Sequence, residues 1–153
     1  MANFDGARYM GTWYNAAHSP NMPFQDDSRT CTTATYSDLD SNGNFNLYNS
    51  GEAQYQVGGR TGVTGTALAS ADGTGTITVS ISRPATEPNY TVVDTDYENY
   101  SVVYNCSTKN QGLAELWYLI RHPVATQAQL NQYNGITNAN MPNYDTSTLI
   151  IDN

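Results

Sequence analysis

The chain has little positive charge, few metal-ligating residues and no long apolar run. Of its 153 residues only 6 are Lys or Arg, against 14 Asp or Glu, so the formal net charge is −8. Binding to nucleic acid or to an anionic membrane surface needs clustered basic residues, and the composition disfavours both. No stretch approaches the roughly 20 apolar residues of a membrane-spanning helix, so we expect no membrane insertion.

Cysteine and histidine are equally scarce, with 2 of each. They lie far apart in the sequence, which disfavours a zinc site, and we expect no metal. The sequence contains neither the Gly-x-Ser-x-Gly turn of serine hydrolases nor a phosphate-binding loop. A binding protein without catalytic activity is therefore predicted in preference to an enzyme.

Alternating apolar and polar residues dominate what the sequence does contain. The stretch GTITVSIS, for example, places Ile77, Val79 and Ile81 on one face of a strand. NYTVVDTD and NYSVVYNCS, with a short TDYEN turn between them, predict a hairpin, and the Asn-Gly of LDSNGN predicts another turn. Counting such segments gives eight strands between residues 10 and 121, at the spacing typical of an antiparallel sandwich or barrel.

One segment follows a helical pattern instead. In PVATQAQLNQYNGI, Thr126 is a candidate N-cap and Gly135 a candidate C-terminal stop. The final STLIID predicts a ninth strand, and the glycines at 58, 59, 62 and 65 predict a bend or a bulge in an earlier one. The sequence therefore predicts one domain over residues 1–153, an all-β, eight-stranded antiparallel up-and-down barrel with one helix against it and a short ninth strand.

Three short motifs resemble those of the lipocalin family. They are Gly11-x-Trp13 in the first strand, Thr95-Asp96-Tyr97 between the sixth and seventh strands, and Arg121 after the eighth. The stretches NFDGARYMGTWY and TDYENYSVVYNC resemble in particular the branch with apolipoprotein D, bilin-binding protein and crustacyanin. The resemblance extends over nearly the whole chain and implies a lipocalin barrel.

These motif residues are expected to be structural. Trp13 would plug the closed end of the barrel, with Arg121 stacked over it and donating to backbone carbonyls. A cation over an indole contributes about 0.5–2 kcal/mol. Asp96 would fix the turn between the sixth and seventh strands, and Gly11 would allow close backbone packing.

The resemblance also implies that the open end of the barrel holds one small hydrophobic ligand. Ligands in the branch are pigments (biliverdin-type tetrapyrroles or carotenoids) or colourless lipids (fatty acids or steroids), and 12 Tyr and 2 Trp favour a flat conjugated pigment. A lipocalin-type isomerase and a barrel with an empty calyx are the remaining alternatives. Alternation and family positions give nine candidate ligand-binding residues: Phe24, Tyr36, Phe45, Leu47, Asn49, Tyr90, Glu115, Trp117 and Leu119.

The candidates differ in how they are predicted. Trp117 and Asn49 match calyx positions of the branch, and Phe24 and Tyr90 are expected at the mouth. The deeper apolar candidates would serve equally well as core filling. Glu115 is unusual, because a carboxylate in an apolar lumen is costly unless it is paired or near water, and it could meet the nitrogens of a tetrapyrrole.

The two cysteines depart from the pattern that the resemblance implies. In the branch, the cysteines at the positions of Cys31 and Cys106 pair with cysteines in the two tails, and neither tail carries one here. In a closed barrel roughly three strand spacings of about 4.8 Å would separate them from each other, beyond the reach of a disulfide. Both are therefore predicted to be free thiols.

The resemblance implies a secreted protein. The stretch MANFDGARYM has no apolar signal core, so we do not expect the chain to be a precursor. Glycosylation sequons at Asn89, Asn99 and Asn105 are expected to arise by chance in a chain rich in Asn and Thr. The sequence leaves the oligomeric state open, a homo-oligomer included.

Overall fold

The computed structural model describes residues 1–22, 27, 29–53, 59–106 and 114–152, with Cys106 described by its backbone only. The helices are α1 (Gly6–Tyr9) and α2 (Gln127–Asn140), and a 3-10 turn lies at Thr146–Thr148. The strands are β1 (Gly11–His18), β2 (Arg29–Ser37), β3 (Asn44–Ala53), β4 (Arg60–Ala69), β5 (Thr76–Ile81), β6 (Tyr90–Thr95), β7 (Tyr100–Cys106), β8 (Ala114–Ile120) and β9 (Ile150–Ile151).

Strands β1 to β8 form a closed antiparallel barrel, as predicted. Each pairs with the next, and the ring closes because β1 pairs with both β2 and β8. The β1–β2 pairing ends where Tyr14 lies opposite Thr33. Beyond that point β9 lies beside β1, with Ile151 opposite Ala17. The short ninth strand thus continues the wall where β1 and β2 separate.

The two ends of the barrel differ. The β6–β7 hairpin and α1 lie together at one end, where Arg8 of α1 donates to the Asp96 carbonyl oxygen at 3.3 Å. We call this the closed end. At the other end, the open end, β1 finishes at His18, β2 begins at Arg29 and β8 begins at Ala114.

Apolar side chains lie on both faces of the barrel wall. The inner cluster fills the lumen and contains the buried residues Tyr9, Trp13, Tyr36, Phe45, Leu47, Ala67, Ile77, Val92, Tyr97, Val103 and Leu119. The outer cluster lies between the wall and α2 and contains Ala16, Ala17, Val102, Leu116, Tyr118, Ile120, Leu130 and Tyr133. Since β8 contributes alternate residues to both clusters, its sequence AELWYLI is apolar on both faces.

Helix α2 begins where predicted but ends later. The Thr126 hydroxyl accepts from the Gln129 N–H at 3.3 Å, and Gln129 Oε1 accepts from the Thr126 N–H at 2.9 Å, which forms a capping box. The predicted stop at Gly135 is wrong, because the helix continues for more than a turn beyond it. The buried Thr137 hydroxyl lies 2.8 Å from the Tyr118 hydroxyl. This contact with the barrel offsets the roughly 1 kcal/mol that an interior glycine costs.

The predicted bulge among the glycines does not occur in the described part of β4. Strands β3 and β4 pair in unbroken register along their length. A Cβ on Gly65 would lie 2.5 Å from the Ser80 carbonyl oxygen of β5, so this glycine permits close approach of β4 and β5 instead. Register shifts lie in β1 at Ala16, in β2 between Thr30 and Thr33, and in β6 between Val92 and Asp94.

All three sequon asparagines use their side-chain amides in hydrogen bonds, and the exposed Asn99 donates to Asp96 Oδ2 at 2.7 Å. Asn89 accepts from the Val79 N–H at 2.8 Å and donates to the Val79 carbonyl oxygen at 2.9 Å. Asn105 donates to Glu115 at 2.6 Å. The contacts of Asn89 and Asn105 disfavour glycosylation at these two positions.

In the described part of the chain, no helix has the length and apolar character needed to cross a membrane. Nor do His, Cys, Asp and Glu form, among those same residues, a group of three or more that could hold a metal ion.

Candidate ligand-binding site

Trp13 and Arg121 close the barrel beneath the lumen. The Trp13 side chain is fully buried, and the guanidinium carbon of Arg121 lies 3.6 Å from the centre of its ring. Arg121 also donates to the carbonyl oxygens of Thr12 and Met10 at 2.9 Å and of Tyr97 at 3.1 Å. The arginine thereby joins the start of β1 to the β6–β7 hairpin across the plug.

Asp96 fixes the β6–β7 hairpin. Its carboxylate accepts from the backbone N–H groups of Glu98 at 3.1 Å, Asn99 at 2.7 Å and Tyr100 at 3.0 Å. Partial burial raises the pKa of Asp96, but the hydrogen bonds together outweigh it and leave the pKa below its ordinary value. The neighbouring Thr95 hydroxyl accepts from the Tyr97 N–H at 2.9 Å, which holds the turn from its other side.

Gly11 gives Arg121 its space. Its φ of +97° lies in the region that favours glycine, and a Cβ there would lie 3.2 Å from Arg121 Nη1. A larger residue would push the guanidinium off the Trp13 ring.

Tyr9 forms the floor of the lumen, and the sequence pattern did not indicate it. The Asp5 carboxylate caps α1 by accepting from the Arg8 N–H at 3.1 Å. The Tyr9 ring stacks on the Tyr36 ring with their centroids 5.6 Å apart. The Tyr90 hydroxyl lies 2.8 Å from the hydroxyl of Tyr9 and 3.1 Å from that of Tyr36. This network is cut off from water, and burial raises the pKa of Tyr36 to about 12.

Four of the candidate ligand residues belong to the lower lumen, around this network. Tyr36, Phe45, Leu47 and Leu119 are each at most 6% exposed. The Phe45 ring meets the Tyr36 ring edge-on at 5.5 Å. Tyr90 begins β6 at the open end, but its hydroxyl reaches down into the network. Such packing agrees with the core-filling alternative, and a ligand contact for these residues stays a prediction.

Above this packing, polar side chains line the wall. Alternation puts Asn49 on the face of Leu47 and Trp117 on the face of Leu119, and Trp117 packs against the inner cluster. The Asn49 Oδ1 atom is buried and has no hydrogen-bond donor among the described residues. We define the upper lumen as Asn15, His18, Asn49, Asn105, Glu115 and Trp117. Phe24, the remaining candidate, lies outside the described residues.

Glu115 is fully buried in the upper lumen. It lies opposite Asn105 in the β7–β8 register, and Asn105 Nδ2 donates to Glu115 Oε2 at 2.6 Å. Burying a carboxylate is expensive unless donors or cations compensate it. Since Trp117 follows on the same face, the upper lumen presents an acceptor group beside an aromatic ring.

A bulge turns His18 into the upper lumen. The register shift in β1 sets His18 opposite Trp117, an inward position that period-two counting assigns to its neighbour. The ring is 1% exposed, its Nδ1 accepts from Asn15 Nδ2 at 2.9 Å, and Nε2 lies 3.6 Å from Asp27 Oδ1. Burial lowers the pKa of His18, and the nearby carboxylates oppose this only in part.

Asp152 closes the split between β1 and β2 from the end of β9. Its Oδ2 accepts from the Thr32 N–H at 3.2 Å and from the Thr32 hydroxyl, and lies 3.5 Å from Asn15 Nδ2. Outside this point, a cleft of about 470 Å³ lies along the outer wall, with hydroxyl groups such as those of Thr33 and Thr35 in its lining. A hydroxyl-lined cleft suits an apolar ligand less well than the lumen does.

A comparison with known families matches residues 4–153 to the model of the lipocalin-like domain. Among curated proteins, the chain is similar to the Lazarillo protein of Schistocerca americana, with 32% identity over 124 residues. The match covers 78% of this chain and 56% of that protein. The chain thus spans little more than half the length of this relative.

Solved structures with the same fold include insecticyanin from the tobacco hornworm Manduca sexta and lobster apocrustacyanin A1. The insecticyanin match covers 100% of this chain and 82% of that one, with a TM-score of 0.81 and 20% identity. The apocrustacyanin A1 match covers 95% of this chain and 77% of that one, with a TM-score of 0.74 and 22% identity. At these identities the likeness establishes the fold alone.

Proposed function

Because the chain belongs to the lipocalin-like family, whose barrel is a ligand-binding carrier fold, we propose that it carries one small conjugated pigment in the upper lumen. A biliverdin-type tetrapyrrole is the first candidate. The observation that carries this proposal is Glu115, a fully buried carboxylate on the same face as Trp117.

A bilin has both hydrogen-bond donors and a flat conjugated skeleton, which match the acceptor groups and the aromatic ring of the upper lumen. Its pyrrole and lactam N–H groups are donors, and Glu115 and Asn49 offer acceptor oxygens in a buried setting. Hydrogen bonds to charged groups contribute about 1.5–3 kcal/mol each. Its flat conjugated skeleton can lie against the Trp117 ring and removes apolar surface from water at roughly 25 cal/mol per Å².

A carotenoid is a weaker pigment candidate, because its polyene chain carries no donor. Such a ligand would lie beside Glu115 and Asn49 without donating a hydrogen bond to either side chain. A buried acceptor without a donor, such as Asn49 Oδ1 among the described residues, costs about 1–3 kcal/mol.

A colourless lipid, such as a fatty acid or a steroid, is the second candidate. Val79 and Ile81 pack against the inner cluster and are partly buried, so they offer apolar contacts along the lumen wall. A fatty acid would have to keep its own carboxylate away from Glu115, with its tail inside the barrel.

We propose that the protein carries its ligand outside the cell and does not catalyse a reaction on it. Cys31, the cysteine whose side chain is described, is exposed rather than in the lumen, so it is not placed for attack on a bound ligand. The extracellular location is inferred from the family motifs around Trp13 and Asp96 and from the low content of charged residues, 13%.

Titrations of three ligand classes test the proposal. Biliverdin, β-carotene and palmitate are each titrated into the wild type, the Glu115→Gln variant and a control, Glu87→Gln, which changes an exposed glutamate. We expect Glu115→Gln to raise the Kd for biliverdin about tenfold or more, because the charged acceptor is lost. It should not weaken the binding of β-carotene or of palmitate, because neither ligand donates a hydrogen bond to this carboxylate.

Two results would count against the bilin. Binding of palmitate but not biliverdin by the wild type would favour the colourless lipid. An unchanged Kd for biliverdin in Glu115→Gln would show that this carboxylate does not receive the ligand's N–H groups.

A further inference from the structure

Arg29 lies on the inner face of the barrel at the open end. Counting by two from the inward Tyr36 would instead give Thr30 the inward position. The register shift between Thr30 and Thr33 reverses the faces, so Arg29 lies opposite Ala53, the inward position of β3.

The Arg29 side chain crosses β3 along the inner wall. Its Nη1 donates to the Thr61 hydroxyl of β4 at 2.5 Å and lies 3.5 Å from the Gly51 carbonyl oxygen. Gly51 leaves room for this path, since a Cβ there would lie 3.6 Å from Arg29 Cδ and 2.7 Å from Thr32 Cγ2. One nitrogen thus anchors the guanidinium across the mouth of the lumen.

The other edge of this guanidinium is available. Among the described residues, no hydrogen bond engages Arg29 Nε or Nη2, and no ion pair includes Arg29. Arg60, on the outer face, differs because all three of its guanidinium nitrogens have a partner. Its Nε donates to Ser50 Oγ at 3.1 Å, its Nη2 donates to Thr33 Oγ1 at 2.7 Å, and its Nη1 lies 3.6 Å from a Glu52 oxygen.

We propose that Arg29 forms a carboxylate-binding subsite at the mouth, and that the ligand of the lumen is a carboxylic acid held with its acid group outward. Nε and Nη2 present two parallel N–H donors, which match the two oxygens of a carboxylate. This subsite rests on the proposed function, because it needs a ligand in the lumen. It adds an orientation, since the acid group is held at Arg29 while the apolar remainder of the ligand lies in the lumen.

The chain's charge supports this assignment. The chain has 6 basic residues against 14 acidic ones. Arg29 nevertheless faces the lumen without a carboxylate partner among the described residues, whereas Arg60 lies close to Glu52. A ligand carboxylate would supply the missing partner. Because the contact of Arg29 with Thr61 is exposed, the attraction should weaken with added salt.

Matched acid and ester ligands test the subsite. Biliverdin and its dimethyl ester share one conjugated skeleton, and laurate and methyl laurate cover the colourless-lipid alternative. Each is titrated into the wild type, Arg29→Gln, Arg29→Lys and the control Arg60→Gln, at low and high salt. Thermal unfolding of each variant checks that it is folded.

We expect the wild type to bind the acid about tenfold or more tightly than its ester, because only the acid forms a charge-assisted hydrogen bond with Arg29. Arg29→Gln should remove this preference by weakening the acid alone, Arg29→Lys should retain part of it, and Arg60→Gln should retain all of it. Equal affinities for acid and ester in the wild type, or a preference that survives Arg29→Gln, would overturn the subsite while leaving the proposed function intact. Failure of all four ligands to bind would overturn both.

Discussion

The guanidinium of Arg121 lies over Trp13, with 3.6 Å between its central carbon and the centre of the ring. The indole nitrogen of Trp13 donates to the Tyr9 carbonyl oxygen at 2.9 Å, so the floor of the lumen and the plug beneath it are one unit. We expect the closed end to contribute much of the barrel's stability, while the open end provides the ligand site.

Truncating the plug should be costly. We expect Trp13→Ala to lower the free energy of unfolding by about 3–5 kcal/mol, because a large buried ring is replaced by a cavity. Arg121→Ala should cost less, and Arg8→Ala, which removes an exposed arginine 4.5 Å over the Tyr97 ring, less than about 1 kcal/mol. Urea denaturation of the three variants measures this order. A Trp13→Ala midpoint equal to that of the wild type would refute the closed-end assignment.

His18 should make stability depend on pH. Burial lowers its pKa in the folded state below the ordinary 6.5, so the unfolded chain takes up a proton first as the pH falls. The contribution is fully present above about pH 6.5 and is lost below it, with a slope of at most about 1.4 kcal/mol per pH unit.

Urea denaturation between pH 7.5 and pH 5 measures this slope. His18→Gln should flatten it, and the control His122→Gln, which changes an exposed histidine, should leave it as in the wild type. The aspartates with lowered pKa, such as Asp96, lose their protective effect only below about pH 4 and do not interfere. Equal slopes in the wild type and His18→Gln would show that His18 is not buried as a neutral ring.

Both cysteines should react as free thiols with a thiol-specific reagent under denaturing, non-reducing conditions. Cys31 is exposed and free. In the barrel, β8 and β1 lie between the strand of Cys106 and the strand of Cys31, which puts their backbones beyond the roughly 7 Å limit for a disulfide. In the folded protein, Cys31 should react readily. An intramolecular bond between the two residues, detected by peptide mapping, would mean that the strand order is different.

Much of the fold could be predicted because its signals are local. Alternation, runs of β-branched and aromatic residues, and turn residues mark β1 to β8, and Thr126 with Gln129 marks the start of α2. The Trp13–Arg121 stacking followed from the family motifs. The end of α2 could not be predicted past Gly135, because the contact of Thr137 with Tyr118 joins residues distant in sequence.

The candidate site was harder to predict because two bulges reverse the faces that counting assigns. Each inserts one residue, which period-two counting cannot detect, and each turns a polar side chain inward: His18 in β1 and Arg29 in β2. Tyr9 was missed for another reason. It sits in a helix of only four residues, whose position depends on contacts with Tyr97 and Tyr36 rather than on its own sequence.

Our central proposal is that the upper lumen holds one conjugated ligand in one orientation, with the Glu115 carboxylate against the ligand's N–H groups. Visible circular dichroism during a biliverdin titration tests it most directly, because a free bilin samples both hands of its twist and shows little signal. We predict a visible band that saturates at about one biliverdin per chain, and a weaker apparent affinity in Glu115→Gln than in Glu87→Gln. A titration that gives no band, or a signal that rises without saturating, would contradict the account.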